Sequence, residues 1–161
     1  MSVIDVDKDL DACTLTITAE FDGPLDRVWE LWADPRKLER WWGPPGAPST
    51  FERHELEPGG TVTYFMTSSE GERFYGVWRV IAVDPPRSLH VEDSFADADG
   101  NVDPDMPTGQ MHMRLTEEDG RTRMELISVN ATKEAMQQLL DMGAAEGMQQ
   151  TIGQMDALLA E

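Results

Sequence analysis

The sequence of 161 residues has little cysteine, histidine or positive charge, and it has no long apolar run. Its single cysteine, Cys13, cannot form a disulfide within the chain, and no apolar run approaches the ~20 residues of a transmembrane helix. The 3 histidines lack the spacing of a metal-binding motif. Only 13 Lys and Arg residues oppose 31 Asp and Glu residues, giving a net charge of -18. Nucleic acids and anionic membranes need a basic surface, so both are disfavoured as partners.

Other absences limit the chemistry that the chain can carry out. Residues 1–7 contain neither a basic nor an apolar region, which argues against a signal peptide and, with the single cysteine, favours a cytoplasmic protein. The sequence has no Gly-x-Ser-x-Gly motif and no glycine-rich phosphate loop before a helix. It therefore predicts no catalytic set, no metal and no cofactor. The length suits a single domain over residues 1–161, with a structured core over about residues 12–160.

The first third of the chain predicts one strand and two short helices. Residues 13–21 alternate between apolar and Thr positions, which predicts a strand with Cys13 on its apolar face. Pro24 suits a first helical turn, and the apolar residues that follow recur at helical spacing. Asp34 suits the N-cap of a second short helix over residues 36–42.

The remaining residues predict six strands and one long helix. Turn residues separate strands over residues 50–57, 61–67, 73–83, 88–95, 110–116 and 122–130. Short connections imply antiparallel neighbours, and from Thr132 onward the apolar period becomes helical. A sheet with one apolar face must be covered by the only long amphipathic helix in the chain. The sequence therefore predicts an α+β fold, with a curved antiparallel sheet of about seven strands around a long C-terminal helix.

Tryptophan is concentrated in one block. Of the 5 tryptophans, 4 fall within residues 29–42. Trp29 and Trp32 have helical spacing and are expected to anchor the first short helix on the sheet. Trp41 and Trp42 are adjacent in a predicted helix, so they cannot both face inward in the same way. Either both pack in the core or one of them lies at a cavity rim or a subunit contact, and a homodimer would form through that region or through a sheet edge.

Five motifs follow one another along the chain. They are Pro24–Trp32 with Asp34-Pro35, Trp41-Trp42-Gly43-Pro44, Leu56-Glu57-Pro58-Gly59-Gly60, Gly76 with Val83–Leu89, and Glu146-Gly147-Met148. Together they resemble the START-like (SRPBCC) superfamily, in the branch of the C-terminal domain of the activator of heat-shock protein 90 ATPase. The resemblance covers almost the whole chain and implies the helix-grip, or Bet v-type, fold. That branch usually carries Trp where this sequence has Met148, which implies more room near the middle of the last helix.

In a helix-grip fold the concave sheet face and the long helix can enclose a cavity. Strand alternation and the helical stripe assign a set of side chains to that interior. The set comprises His54, Tyr64, Met66, Trp78, Asp93, Phe95, Met111, Met113, Met136, Leu140, Met148 and Ile152. Methionine is common at adaptable binding surfaces, so this set predicts a deformable site for a small apolar or amphipathic molecule. An ordinary Met-rich core is the alternative that the pattern leaves open.

Two other functions stay open at this point. The resemblance implies a co-chaperone-like regulator of a heat-shock ATPase, with a chaperone as the partner. Some relatives in the superfamily are cyclases or hydrolases, so an enzyme using His54, Tyr64 or Asp93 is the second alternative. The lack of a recognisable catalytic set favours a binding protein over an enzyme.

Overall fold

The computed structural model describes residues 3–161, which form one eight-stranded sheet and five helices. The strands are β1 (Val3–Asp9), β2 (Thr14–Asp22), β3 (Ser49–His54), β4 (Thr61–Thr67), β5 (Arg73–Asp84), β6 (Ser88–Ala96), β7 (Thr108–Glu118) and β8 (Arg121–Asn130). The helices are α1 (Leu25–Ala33), α2 (Pro35–Leu38), α3 (Lys133–Asp141), α4 (Ala144–Gly153) and α5 (Met155–Leu159). Within residues 3–161, every helix is too short or too polar to cross a membrane.

All neighbouring strands are antiparallel, in the order β1-β2-β8-β7-β6-β5-β4-β3. Strands β3 to β8 each pair with the next strand along the chain and so form a meander, in which residues 97–107 make the longest connection, between β6 and β7. In the β7–β8 turn, Asp119 and Gly120 have φ angles of 55° and 77°, the positive pair that matches the strand twist in a two-residue hairpin. Helices α1 and α2 lie in the crossover from β2 to β3 at the far edge. This is the predicted α+β helix-grip arrangement.

Strand β1 was not predicted, and its presence changes the position of Cys13. The prediction of about seven strands is one strand short because β1 is mostly exposed, so its alternation is weak. Since β1 pairs with β2, the chain must turn between them. Cys13 lies in that turn with φ of 59°, and its backbone N–H donates to the carbonyl of Leu10. The prediction that Cys13 lies within a strand on its apolar face is therefore wrong.

The predicted long C-terminal helix is divided into three consecutive segments. Thr132 caps α3 as predicted, since its hydroxyl accepts a hydrogen bond from the backbone N–H of Ala135 at 3.0 Å. Gly143 then adopts φ of 86°, a left-handed conformation that glycine tolerates, and this residue separates α3 from α4. The apolar stripe still faces the sheet, because Met136, Ile152 and Met155 are buried. Helix α4 packs against β1 and β2.

The tryptophan block forms the centre of the core. Trp41 and Trp42 are 1% and 3% exposed, so the prediction that one of them lies at a rim or subunit contact is wrong. Trp41 packs against Trp32 of α1 and Trp42 packs against Trp78 of β5, each with ring centroids 4.9 Å apart, so the adjacent side chains enter the core against different elements. Their rings meet edge to face with centroids 5.5 Å apart. The indole N–H of Trp41 donates to the carbonyl of Leu31 at 2.8 Å.

Candidate functional site

A cavity of about 240 Å³ lies between the concave face of the sheet and helices α3 and α4. Its wall is mostly apolar and includes residues from six strands as well as from the helices. The lining residues are Leu15, Tyr64, Met66, Phe74, Tyr75, Gly76, Asp93, Ser94, Phe95, Pro107, Gly109, Gln110, Met111, Ser128, Val129, Asn130, Leu139, Ala144 and Met148. Phe74 and Phe95 are 56% and 36% exposed, which places them where the cavity meets solvent.

Antiparallel registers arrange the polar residues of the wall in rows across the sheet. Tyr64 on β4 pairs with Gly76 on β5, which in turn pairs with Phe95 on β6. In the row beside it, Asp93 on β6 lies between Trp78 on β5 and a glycine on β7. Because residues two apart on a strand share a face, Asp93 and Phe95 both point to the concave side. The sheet therefore brings a phenol and a carboxyl together at one side of an apolar cavity.

Because Gly76 has no side chain, the ring of Tyr64 can lie flat across β5 at this position. A β-carbon at Gly76 would lie 2.4 Å from Cζ and 2.5 Å from the hydroxyl oxygen of Tyr64, which is closer than real contacts allow. The position of the Tyr64 ring thus depends on the absence of a side chain at Gly76. Tyr64 also stacks on Phe51, with centroids 5.0 Å apart.

We expect Gly76→Ala to destabilise the protein by about 1–3 kcal/mol, because the new methyl group must displace the Tyr64 ring. Gly147→Ala is the matched control, since no atom lies within 4 Å of a β-carbon there and the residue lies in α4. Urea denaturation of both variants tests this. In a Tyr64→Ala background the cost of Gly76→Ala should shrink, and an unchanged cost would contradict the assigned clash.

Burial governs the protonation of Asp93. The removal of its carboxyl from water raises the pKa to about 7, because the charged form loses its hydration. The indole N–H of Trp78 favours the ionised form and offsets part of this rise, although it makes no hydrogen bond of normal geometry. Asp93 therefore changes charge near neutral pH, inside an apolar cavity.

Tyr64 is the partner of this carboxyl in the cavity wall. Burial of the phenol raises its pKa, and the negative charge of Asp93 raises it further. Tyr64 thus stays a neutral phenol throughout the physiological range. It can donate or accept a hydrogen bond but cannot carry charge.

The structure separates the predicted site residues into two groups. One group lines the cavity and comprises Tyr64, Met66, Asp93, Phe95, Met111 and Met148. The other group lies outside the lining and comprises His54, Trp78, Met113, Met136, Leu140 and Ile152. Trp78, Met113, Met136 and Ile152 of this second group are almost fully buried in the core. These four residues therefore belong to an ordinary hydrophobic core and not to the lining of a binding cavity.

His54 was predicted in the cavity, and the structure places it elsewhere. A bulge between Phe51 and Arg53 interrupts the alternation of inward and outward side chains along β3. Counting every second residue along this strand therefore does not show which way His54 faces. Its Nε2–H donates to the carbonyl of Trp32 at 3.2 Å, under the first short helix. The imidazole thus connects β3 to α1 instead of facing the cavity.

Several lining residues were not among the predicted site residues. Phe74 and Gly76 share the concave face of β5 with Trp78, so alternation extended to the start of that strand would have found both. The alternation of side chains along β8 likewise places Ser128 on the inward face. Leu139 and Ala144 lie on either side of the break at Gly143, and a single continuous helix would not have placed them together.

Comparisons with known proteins agree with this architecture. The family model described as Activator of Hsp90 ATPase homolog 1-like protein matches residues 22–160. The crystal structure of Ms6760 from Mycobacterium smegmatis is 51% identical with a TM-score of 0.90, and the match covers 98% of this chain and 96% of that one. A solution NMR structure from Arthrobacter aurescens is 42% identical with a TM-score of 0.95, covering 99% and 92% of the two chains.

A more distant structure extends the same fold. The AHSA1 protein from Silicibacter pomeroyi is 22% identical with a TM-score of 0.72, and the match covers 91% of this chain and 97% of that one. At that identity the similarity concerns the fold alone. Among curated proteins, none matches the sequence.

Proposed function

The chain belongs to the family of Activator of Hsp90 ATPase homolog 1-like proteins, and we propose that it acts by binding a small apolar or amphipathic molecule in the cavity between the sheet and helices α3 and α4. The observation that carries this proposal is a half-buried carboxyl, Asp93, beside a neutral phenol in a mostly apolar wall. Binding sites typically combine an apolar wall with a few polar groups that orient the ligand.

The size of the cavity supports a small ligand. A volume of about 240 Å³ lies just below the range of roughly 300–1,000 Å³ that is usual for ligand pockets. Met66, Met111 and Met148 contribute flexible side chains to the wall, so the cavity can adapt to the shape of a ligand. The exposed Phe74 and Phe95 would cover the outer part of the bound molecule.

The direct experiment is native mass spectrometry of freshly purified protein, followed by a screen of small apolar and aromatic compounds. Because Trp42 lies 6.2 Å from Tyr64 between ring centroids, binding at the cavity should change tryptophan fluorescence. A ligand should also raise the melting temperature, since it binds only the folded state. A clean mass and no thermal shift with any compound would contradict the proposal.

We expect Met148→Trp to abolish ligand binding while leaving the protein folded, because the larger side chain would fill the cavity from α4. Met142→Trp is the matched control, since Met142 is 59% exposed and lies outside the cavity lining. Binding measured by fluorescence titration should disappear only in the first variant. Equal binding by both variants would place the ligand elsewhere.

An enzyme that uses the same cavity is the second candidate. A carboxyl with a pKa near 7 beside a phenol is suited to general acid–base catalysis. His54 drops out of this version, since its ring bonds to Trp32 away from the cavity. If turnover of a bound compound is found, Asp93→Asn should reduce kcat by at least about a hundredfold. Unchanged turnover in that variant would exclude Asp93 as the acid or base.

The co-chaperone role and the homodimer stay predictions. The family description names an activator of the Hsp90 ATPase, and a stimulation assay with a heat-shock ATPase tests whether this chain shares that property. The predicted interface cannot include Trp41 or Trp42, because both are buried in the core. Analytical ultracentrifugation measures the oligomeric state directly.

A further inference from the structure

Charge in the cavity wall has one sign. Within residues 3–161, the ionisable side chains that line the cavity are Tyr64, Tyr75 and Asp93, and none of the lining residues is Lys, Arg or His. Tyr64 on β4 stays neutral, and Asp93 is the only carboxyl among these lining residues. A ligand with a carboxylate or phosphate would bring a second negative charge beside it without any compensating cation.

We propose that the molecule bound in this cavity is a small organic amine, whose ammonium group pairs with Asp93 while its apolar body packs against the Phe and Met side chains of the wall. This inference rests on the proposed binding function and specifies its ligand class. It uses the same cavity and needs no rearrangement of the sheet.

The position of Asp93 suits an ammonium group. Its neighbours across the sheet are Trp78 on one side and Gly109 on the other, so no long side chain from β7 covers the carboxyl. No side-chain cation of the described part of the chain forms a salt bridge with it, whereas Asp11, Asp22 and Glu161 have basic partners. A buried carboxylate without a cation is unfavourable, and an ammonium ligand would supply one.

Aromatic residues beside Asp93 add to this preference. Phe95 is two residues along β6 on the same face, and Tyr64 lies in the same row as Phe95 through Gly76. Faces of aromatic rings attract cations within about 6 Å, so such rings favour an ammonium group over a neutral one. The net charge of -18 also raises the local concentration of cations near the protein.

The pH dependence distinguishes this ligand class from a neutral one. Asp93 is ionised above about pH 7, and only the ionised carboxylate pairs with an ammonium group. Affinity for an amine should therefore rise as the pH rises through that value, as long as the amine stays protonated. A neutral ligand that accepts a hydrogen bond from protonated Asp93 would show the opposite trend.

The test compares three probes with one carbon skeleton, which are phenethylamine, 2-phenylethanol and phenylacetate. Their affinities are measured by isothermal titration calorimetry at about pH 5.5 and about pH 8.5, with wild type, Asp93→Asn and Glu92→Gln. Glu92→Gln is the matched control, because it changes the net charge equally but lies on the opposite face of β6. Circular dichroism establishes that each variant is folded.

At the higher pH we expect phenethylamine to bind at least about tenfold more tightly than 2-phenylethanol, and phenylacetate to bind most weakly. The preference for the amine should fall about tenfold at the lower pH and disappear in Asp93→Asn, but not in Glu92→Gln. Equal binding of the amine and the alcohol, or an amine preference that survives in Asp93→Asn, would overturn the inference and leave the binding function standing. If none of the probes binds, the inference is overturned, whereas the binding function is judged by the wider screen of compounds.

Discussion

Replacement of Trp78 by alanine should destabilise the protein by about 3–5 kcal/mol, the largest effect that we expect from a single substitution. Trp78 is fully buried at the centre of β5. Its ring contacts those of Trp42 and Tyr64, with centroids 4.9 Å and 5.8 Å away. Trp32 of α1 lies 6.3 Å away on the same measure, so the side chain joins the first short helix to the sheet. Its removal would leave a cavity that these rings cannot refill.

Chemical denaturation of Trp78→Ala measures this cost, and Phe74→Ala is the matched control. Phe74 lies on the same face of the same strand but is 56% exposed, so its loss should change the stability by less than about 0.5 kcal/mol. Trp78→Phe should lie between the two variants because it keeps part of the buried ring. Similar losses for Trp78→Ala and Phe74→Ala would contradict the assignment of the core to the tryptophan cluster.

Relative to the wild type, Asp93→Asn should gain roughly 2–3 kcal/mol of stability between pH 5 and pH 8. The cause is the raised pKa of Asp93, about 7 in the folded protein against 3.8 for a free carboxyl. At a pH between these two pKa values, Asp93 is ionised in the unfolded chain but still protonated in the folded chain. Unfolding therefore becomes easier as the pH rises through this window, and the loss of stability is complete above about pH 7.

The experiment is urea denaturation of wild type, Asp93→Asn and Glu92→Gln at both pH values. Repulsion among the 31 acidic residues also weakens the fold as the pH rises, so the difference between variants matters rather than the absolute slope. Glu92→Gln removes one negative charge on the outer face and should keep most of the wild-type pH dependence. A parallel dependence in wild type and Asp93→Asn would show that Asp93 ionises freely in the fold.

Much of the fold was predictable because its information is local. Alternation predicted β2 and the strands of the meander, and Asp34 and Thr132 cap α2 and α3 as expected. The Asp119-Gly120 turn between β7 and β8 has the positive φ angles that such a pair favours. Each of these features depends on a few neighbouring residues, so one sequence suffices to find them.

The cavity was predictable only in part. The alternation of side chains along β4 and β6 placed four residues on the concave face, where they line the cavity: Tyr64, Met66, Asp93 and Phe95. The alternation of side chains along a strand does not show how deeply a residue is buried. Trp78 was therefore assigned to the cavity, although it lies in the core beneath the cavity. On β3 a bulge shifted the alternation before His54, and the bulge has no clear mark in the sequence.

By itself the sequence determined the order of most elements, the apolar face of most strands and the positions of most turns, because hydrophobic period and turn chemistry act over a few residues. The tertiary structure decided the rest. Strand β1 exists because it pairs with β2, and both Trp41 and Trp42 are buried because one packs against α1 and the other against β5. It also decided the raised pKa of Asp93, since burial depends on what distant strands and helices place around a carboxyl.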